Sequence, residues 1–295
     1  MLKTVRFQDP NTREPRLGLV QGNQVVDLTS VLAHWTDPVT AWTTLKALGL
    51  SPKESLEQLA KQSAFSYDYQ NLLQKGELLP PTASKEVWAA GVTYERSREA
   101  RNAETVLKDS VYDRVYDGER PELFFKSTYD RLVAPGRELH LRNDSKWMVP
   151  EPELGVVVSS TGDVIGWTLG DDLSSRDIEG ENPLYLPQAK IFAGSCSVGP
   201  CLLWNTGEED PLSWSLSLSI TREGKVVFSD EVKVKQLKRT IPELITYLLR
   251  DNPIPQGTVL LTGTCIVPPD EFTLAPGDQI DISIDAIGTL TGIIA

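Results

Sequence analysis

From Lys85 to the C-terminus the chain keeps one rhythm: a short run of β-branched and aromatic residues, a turn rich in Gly, Pro or Asp, then another run. EVWAAGVTY, LFFKST, LGVVVSS, VIGWTLG, LSLSITR, KVVFS, TVLLTG and QIDISIDAIGTLTGI follow in that order. One clear helix interrupts them, where the capping-box sequence Thr240-Ile241-Pro242-Glu243 leads into LITYLLR. Many short strands with few helices bury their apolar faces by packing sheet on sheet, so the expected fold class is mainly β (α+β), a β-rich roll or sandwich. No G-x-G-x-x-G or P-loop follows a strand, which disfavours a nucleotide-binding fold. Ahead of this region, KTVRFQ, RLGLVQ and QVVDLT are β-type runs, and helical patterns cover residues 39–48 and 53–62. Leu79-Pro80-Pro81-Thr82-Ala83-Ser84 reads as a linker, because two prolines suit neither helix nor central strand. The expected division is a small N-terminal α+β domain, 1–82, and a second domain, 83–295. The charged stretch 97–117 is helix-compatible.

Charge and cysteine usage narrow the partners. Lys and Arg total 29 against 41 Asp and Glu, a net charge of −12. Such a field repels phosphate backbones and anionic lipid, so neither nucleic acid nor a membrane is the expected partner. Cys196, Cys201 and Cys265 are an odd number without metal-type spacing, which suits a reducing compartment. The start, MLKTVRFQDP, lacks an apolar signal core, and no window approaches 18 apolar residues. The expectation is a cytoplasmic protein acting on a small molecule.

The chemistry concentrates around Pro150-Glu151-Pro152-Glu153, which runs into LGVVV. Residues i and i+2 of a strand face the same side, so Glu151 and Glu153 project together. A symmetric hairpin centred on Thr161-Gly162 sets Glu151 opposite Asp172, and directly opposed residues share a face. Three carboxylates then converge at the open end of one hairpin. Their repulsion pushes at least one towards protonation unless a divalent cation intervenes, and an all-oxygen set suits Mg2+ or Mn2+. A solvated acidic strand end is the alternative. Lys190, between Ala189 and Ile191 in LPQAKIFAGSCSVGP, is a candidate for proton transfer if desolvated; a lysine with buried stem and wet head is the alternative. Arg176, in DDLSSRD, can clamp a substrate carboxylate or buttress the acidic cluster, or else pair with Asp177. His34 and His140 have no triad-like setting, and the cysteines have no partner base, so Ser-His-Asp and thiol catalysis are disfavoured.

GVTY (91–94), PELFFK (121–126), PEPELGVV (150–157), GDDLSSRDIE (170–179), PQAKIFAGSCSVGP (187–200), LLTGT (260–264) and LAPGDQIDISIDAIGTL (274–290) together resemble the fumarylacetoacetate hydrolase superfamily across roughly residues 85–295. The resemblance implies a β-rich roll whose Mg2+ is held by a Glu-x-Glu pair and a downstream Asp, matching Glu151, Glu153 and Asp172. Hydrolases and decarboxylases of the superfamily carry a histidine just after the element matched by GVTY. Here Tyr94 is followed by Glu95, Arg96, Ser97 and Arg98. GVTYERSR, PELFFK and RDIEGENPLYLPQAK look most like the branch that dehydrates 2-keto-3-deoxy-D-arabinonate. By that resemblance Glu122 and Lys190 are the acid–base pair, and Thr93 and Thr264 contact a 2-keto acid substrate; Arg96 and Arg176 are further candidates to bind it. It also implies a homodimer or homotetramer. A metal-dependent C–C hydrolase or decarboxylase of acylpyruvates or oxaloacetate is the enzymatic alternative, and a catalytically idle metal-binding scaffold is the third.

Overall fold

The computed structural model describes residues 1–104 and 111–295. The leading segment folds as β1 (Lys3–Gln8), β2 (Pro15–Gln21), β3 (Gln24–Asp27), α1 (Pro38–Leu48), α2 (Pro52–Gln62), β4 (Ser66–Asp68), α3 (Tyr69–Gln74) and β5 (Leu78–Leu79). Local chemistry starts its two longer helices: Asp37 and Ser51 accept from the amides of Val39 and Glu54, and a proline occupies each first turn. After the Pro80-Pro81 break come β6 (Glu86–Gly91), α4 (Glu95–Glu104), α5 (Val111–Asp117) and β7 (Glu122–Thr128). Helix thus covers both ends of the stretch 97–117, while residues 105–110 lie outside the described residues. The chain continues through β8 (Glu138–Leu139), β9 (Met148–Val149), β10 (Pro152–Val158), β11 (Val164–Asp172), β12 (Ser174–Ser175), α6 (Arg176–Glu181), α7 (Leu186–Lys190) and β13 (Cys196–Trp204). It closes with β14 (Ser215–Arg222), β15 (Lys225–Lys233), α8 (Ile241–Leu249), β16 (Thr258–Leu261), β17 (Gln279–Ile284) and β18 (Gly288–Ile294).

The architecture is the mainly β one expected. An eleven-stranded sheet runs β4-β3-β2-β1-β13-β11-β10-β16-β6-β7, with β5 beside β1, and a five-stranded sheet runs β15-β14-β17-β18-β8. On one face of the long sheet, Leu154, Val156 and Val158 pack with Leu218, Ile280 and Ile282 of the shorter sheet and with Leu244 and Leu248 of α8. On the other face, Val157, Ile165, Leu202 and Trp204 pack with Leu45, Leu56 and Ala60 of α1 and α2. Burial on both faces explains why LGVVV is a continuous apolar run rather than an alternating one. The α8 start is a complete capping box, with Thr240 and Glu243 each accepting from the other's amide.

The hairpin register carries the argument to the site. Val157 pairs with Gly166, Glu153 with Gly170 and Pro152 with Asp171. Nearer the tip, Val158 pairs with Val164, and a bulge absorbs the one-residue offset. The Asp172 amide donates to the Glu151 carbonyl at 3.0 Å, so Glu151 and Asp172 stand opposite each other as expected. One strand is absent from the sequence reading. Residues 196–204 form the central strand β13 between β1 and β11. Its Pro200 lies where the β11 ladder shifts between Trp167 and Leu169, so the missing amide proton falls in an irregular stretch of the ladder.

Candidate metal and catalytic site

Glu151 precedes β10, Glu153 is its second residue and Asp172 ends β11. One carboxylate oxygen from each lies within 4.8 Å of the others, and all three residues are buried. A solvated strand end is therefore not what the structure shows. Burial first, then the neighbouring Asp172 and Glu151 charges, push the Glu153 carboxyl well above the usual carboxylate range. An all-oxygen, carboxylate-rich and desolvated donor set of this kind fits a small octahedral divalent cation, whose charge would let all three stay ionised. Asp171, adjacent but on the other side of the strand, is also buried; its Oδ1 accepts from the Glu151 amide at 3.0 Å, and burial pushes its carboxyl up to about 7.

Two lysines and an arginine face the triad. Lys190, at the end of α7, is only 3% exposed, so it does not snorkel. Its ammonium donates to Glu151 Oε2 at 2.7 Å, Asp172 Oδ2 at 3.1 Å and Ser174 Oγ at 2.7 Å. Lys126 on β7 is fully buried, with Nζ 2.5 Å from Asp172 Oδ1. Arg176, the first residue of α6, lies 3.4 Å from both Glu151 Oε1 and Glu179 Oε2, which is the buttress geometry. Asp177 is satisfied elsewhere, by the Ser145 and Ser175 hydroxyls and the Lys146 amide.

Glu122, Lys190, Glu151, Asp172 and Thr264 line one cavity, with Ala90, Gly91, Phe124 and Glu179 among its other walls. Gly91 pairs across the ladder with Glu122, and a Cβ there would sit 2.1 Å from Glu122 Oε2, so the glycine makes room for that carboxylate. Thr93 stands behind this wall: its hydroxyl donates to the Thr262 carbonyl at 2.8 Å. A Cβ on Gly263 would meet the Thr93 hydroxyl at 1.9 Å, and its φ of +97° suits glycine alone. That close approach lets the Gly263 amide donate to Glu153 Oε2 at 2.6 Å. Arg96 points away, pairing with Asp230 at 2.6 Å with half its side chain exposed. Both histidines are exposed, and burial pushes the Cys196 thiol up, Cys201 to about 12 and Cys265 to about 11.

Sequence reasoning assigned no role to Lys126, Asp171, Ser174, Glu179 or the Gly263 amide. For Lys126 a signal existed: Glu122, Phe124 and Lys126 alternate along β7 and therefore share its site-facing side.

With this geometry in place, the comparisons with known proteins identify its class. The family model described as fumarylacetoacetate (FAA) hydrolase C-terminal matches residues 86–295, and the chain belongs to that family. It is 48% identical over 211 residues to the probable 2-keto-3-deoxyxylonate dehydratase of Haloferax volcanii, covering 72% of each chain. It is 46% identical over 231 residues to 2-dehydro-3-deoxy-D-arabinonate dehydratase of Saccharolobus solfataricus, covering 76% of this chain and 78% of that one. A solved structure of 2-keto-3-deoxy-D-arabinonate dehydratase complexed with magnesium and 2,5-dioxopentanoate superposes with a TM-score of 0.80, at 35% identity, over 99% of this chain and 97% of that one.

Proposed function

We propose that this protein is a Mg2+-dependent hydro-lyase that converts a 2-keto-3-deoxy pentonate, 2-keto-3-deoxy-arabinonate, into 2,5-dioxopentanoate. The observation that carries the reading is one cavity lined by Lys190, Glu122 and two carboxylates of the acidic triad, Glu151 and Asp172, on a chain whose relatives at 46–48% identity are named dehydratases. Glu151, Glu153 and Asp172 would hold the metal. When bound, Mg2+ supplies a Lewis acid for the substrate's carboxylate and 2-keto oxygens and for the enolate charge; Mn2+ would serve the same donor set. Lys190 takes a proton from C3. Glu122, on the β7 side of the cavity, protonates the departing C4 hydroxyl, so that the elements of water leave from C3 and C4. A proton moving from C5 to C3 then leaves a C4=C5 enol, and transfer of its hydroxyl proton to C4 gives the C5 aldehyde. Arg176 holds Glu151, and Thr264 meets the substrate directly; Thr93 acts through the Thr262–Gly263 turn it supports. Arg96 would reach substrate only by leaving Asp230.

The hydrolytic alternative needs an activated water, and the two histidines of the chain lie at the surface. Three buried thiols and the acidic surface suit the reducing cytoplasm, and a homodimer or homotetramer is the assembly we expect. We place the catalytic unit at 83–295, with 1–82 as a leading unit. The test is product identification by NMR with 2-keto-3-deoxy-D-arabinonate and its L-isomer, with and without EDTA. Metal-dependent 2,5-dioxopentanoate is the expected result. Pyruvate plus an aldehyde would mean carbon–carbon cleavage, and no turnover would return the search to acylpyruvates and oxaloacetate.

A further inference from the structure

We propose that Lys126 is a positioning residue that confines Asp172 to one ligating oxygen and so sets which divalent cation the triad prefers. The proposal rests on the metal-site reading above. Lys126 is 0% exposed, and its ammonium has three directions to satisfy. It lies 2.5 Å from Asp172 Oδ1 and donates to the carbonyls of Leu173 at 3.1 Å and Lys190 at 2.5 Å. One ion pair and two hydrogen bonds thus surround an ammonium that is closed to bulk solvent. Asp172 Oδ2, the other oxygen, faces Lys190. The two triad glutamates follow the same pattern: Glu153 Oε2 holds the Gly263 amide at 2.6 Å, and Glu151 Oε1 lies 3.4 Å from Arg176.

Apart from Lys190, each triad carboxylate thus has one oxygen held by a further group: the Lys126 ammonium, the Arg176 guanidinium or the Gly263 amide. Three single-oxygen ligands leave three positions of an octahedral ion for substrate and water, which suits Mg2+ or Mn2+. Ca2+ takes six to eight oxygens and often uses both oxygens of a carboxylate, so this site serves it poorly. Removing Lys126 would release Asp172 Oδ1 and permit two-oxygen ligation. The same ammonium holds the Lys190 carbonyl at the end of α7, so one buried group fixes both a metal ligand and the backbone of the proposed base.

The test compares the full-length protein with Lys126→Met, both stripped with EDTA and titrated with Mg2+ and Ca2+ by calorimetry. Loss of a positive charge strengthens binding of both ions alike, so the ratio of the two affinities isolates the geometric effect. We expect the Ca2+/Mg2+ affinity ratio to rise at least fivefold, with kcat falling more than KM rises. A folded variant whose ratio shifts less than fivefold overturns the proposal. If Lys126→Met does not fold, the wild-type protein loaded with Mn2+ decides by line broadening in 17O-labelled water. Three inner-sphere waters are expected, and fewer would mean that a triad carboxylate ligates through both oxygens, which overturns it. A wild-type protein that binds no divalent cation defeats the metal reading itself, an outcome distinct from an unchanged ratio.

Discussion

A buried carboxylate among carboxylates persists only while something positive shares its oxygens. Lys190 does this for Glu151 and Asp172 when no metal is bound, and its position makes it a competitor of the metal as well as the proposed base. Lys190→Met should therefore abolish dehydration, measured by product formation, while calorimetry shows tighter Mg2+ binding. The metal-free variant should lose about 3–5 kcal/mol of stability in urea titration, the usual effect of removing one partner of a buried pair, and Mg2+ should restore it. Full activity would remove the assigned base. Glu122 offers a gentler probe through its neighbour. Gly91→Ala places a methyl group where the Glu122 carboxylate now sits, displacing the proposed acid by about 1 Å or more. A misplacement of that size costs about a hundredfold in rate, so kcat should drop on that scale with little change in melting temperature. An unaltered kcat would argue that Glu122 takes no part.

At the scale of elements, the β10–β11 hairpin delivers the triad, and its tip can be tested by pH. The Asp163 carboxylate accepts from Ser159 at 2.9 Å and Thr161 at 2.8 Å and lies 2.8 Å from the Lys46 ammonium of α1. The hydrogen bond from Lys46, with those from Thr161 and Ser159, lowers its pKa from 3.8 to about 2. A carboxyl lowered on folding contributes stability above its unfolded pKa and loses that contribution as pH falls through the folded value. Because the pair is 43–51% exposed, screening leaves about 1 kcal/mol. Asp163→Asn should lower stability by that amount at neutral pH, and the gap from wild type should close between pH 3.8 and about 2. A gap constant with pH would assign the effect to lost hydrogen-bond geometry instead of charge. This hairpin was legible in the sequence because a symmetric Thr-Gly turn fixes one register and residues two apart on a strand share a face, and the bulge beside Val158 restored the symmetric pairing beyond the tip. The strand β13 was not: its glycines and Pro200 mimic a turn, and only pairing with β1 and β11, distant in sequence, makes it central. The donors around the triad were hidden for the same reason, since Lys126 reaches Asp172 across strands that no local pattern connects.

For the whole molecule, the question is how far residues 1–82 stand apart. The Pro80-Pro81 pair lies just ahead of residue 86, where the family match begins. The core nevertheless crosses it. β1 pairs with β13 through Thr4 and Leu202, and the Trp204 indole donates to the Thr4 hydroxyl at 2.9 Å. Leu17, Leu28, Leu45 and Leu56 from the leading segment share one apolar cluster with Val157, Ile165, Leu202, Trp204 and Val259 from the remainder. Removing the leading segment would bare that face of the long sheet and leave β13 as an unpaired edge, the arrangement that invites aggregation. Residues 83–295 expressed alone should accordingly be insoluble or bind a hydrophobic dye without a cooperative melt, whereas the full chain should unfold in one calorimetric transition. A soluble 83–295 fragment that melts cooperatively and binds Mg2+ as the full chain does would show instead that α1, α2 and β1 cover a sheet able to stand alone. The triad, Lys126, Lys190 and Glu122 all lie in that fragment, so its metal affinity would then separate what the site needs from what the fold needs.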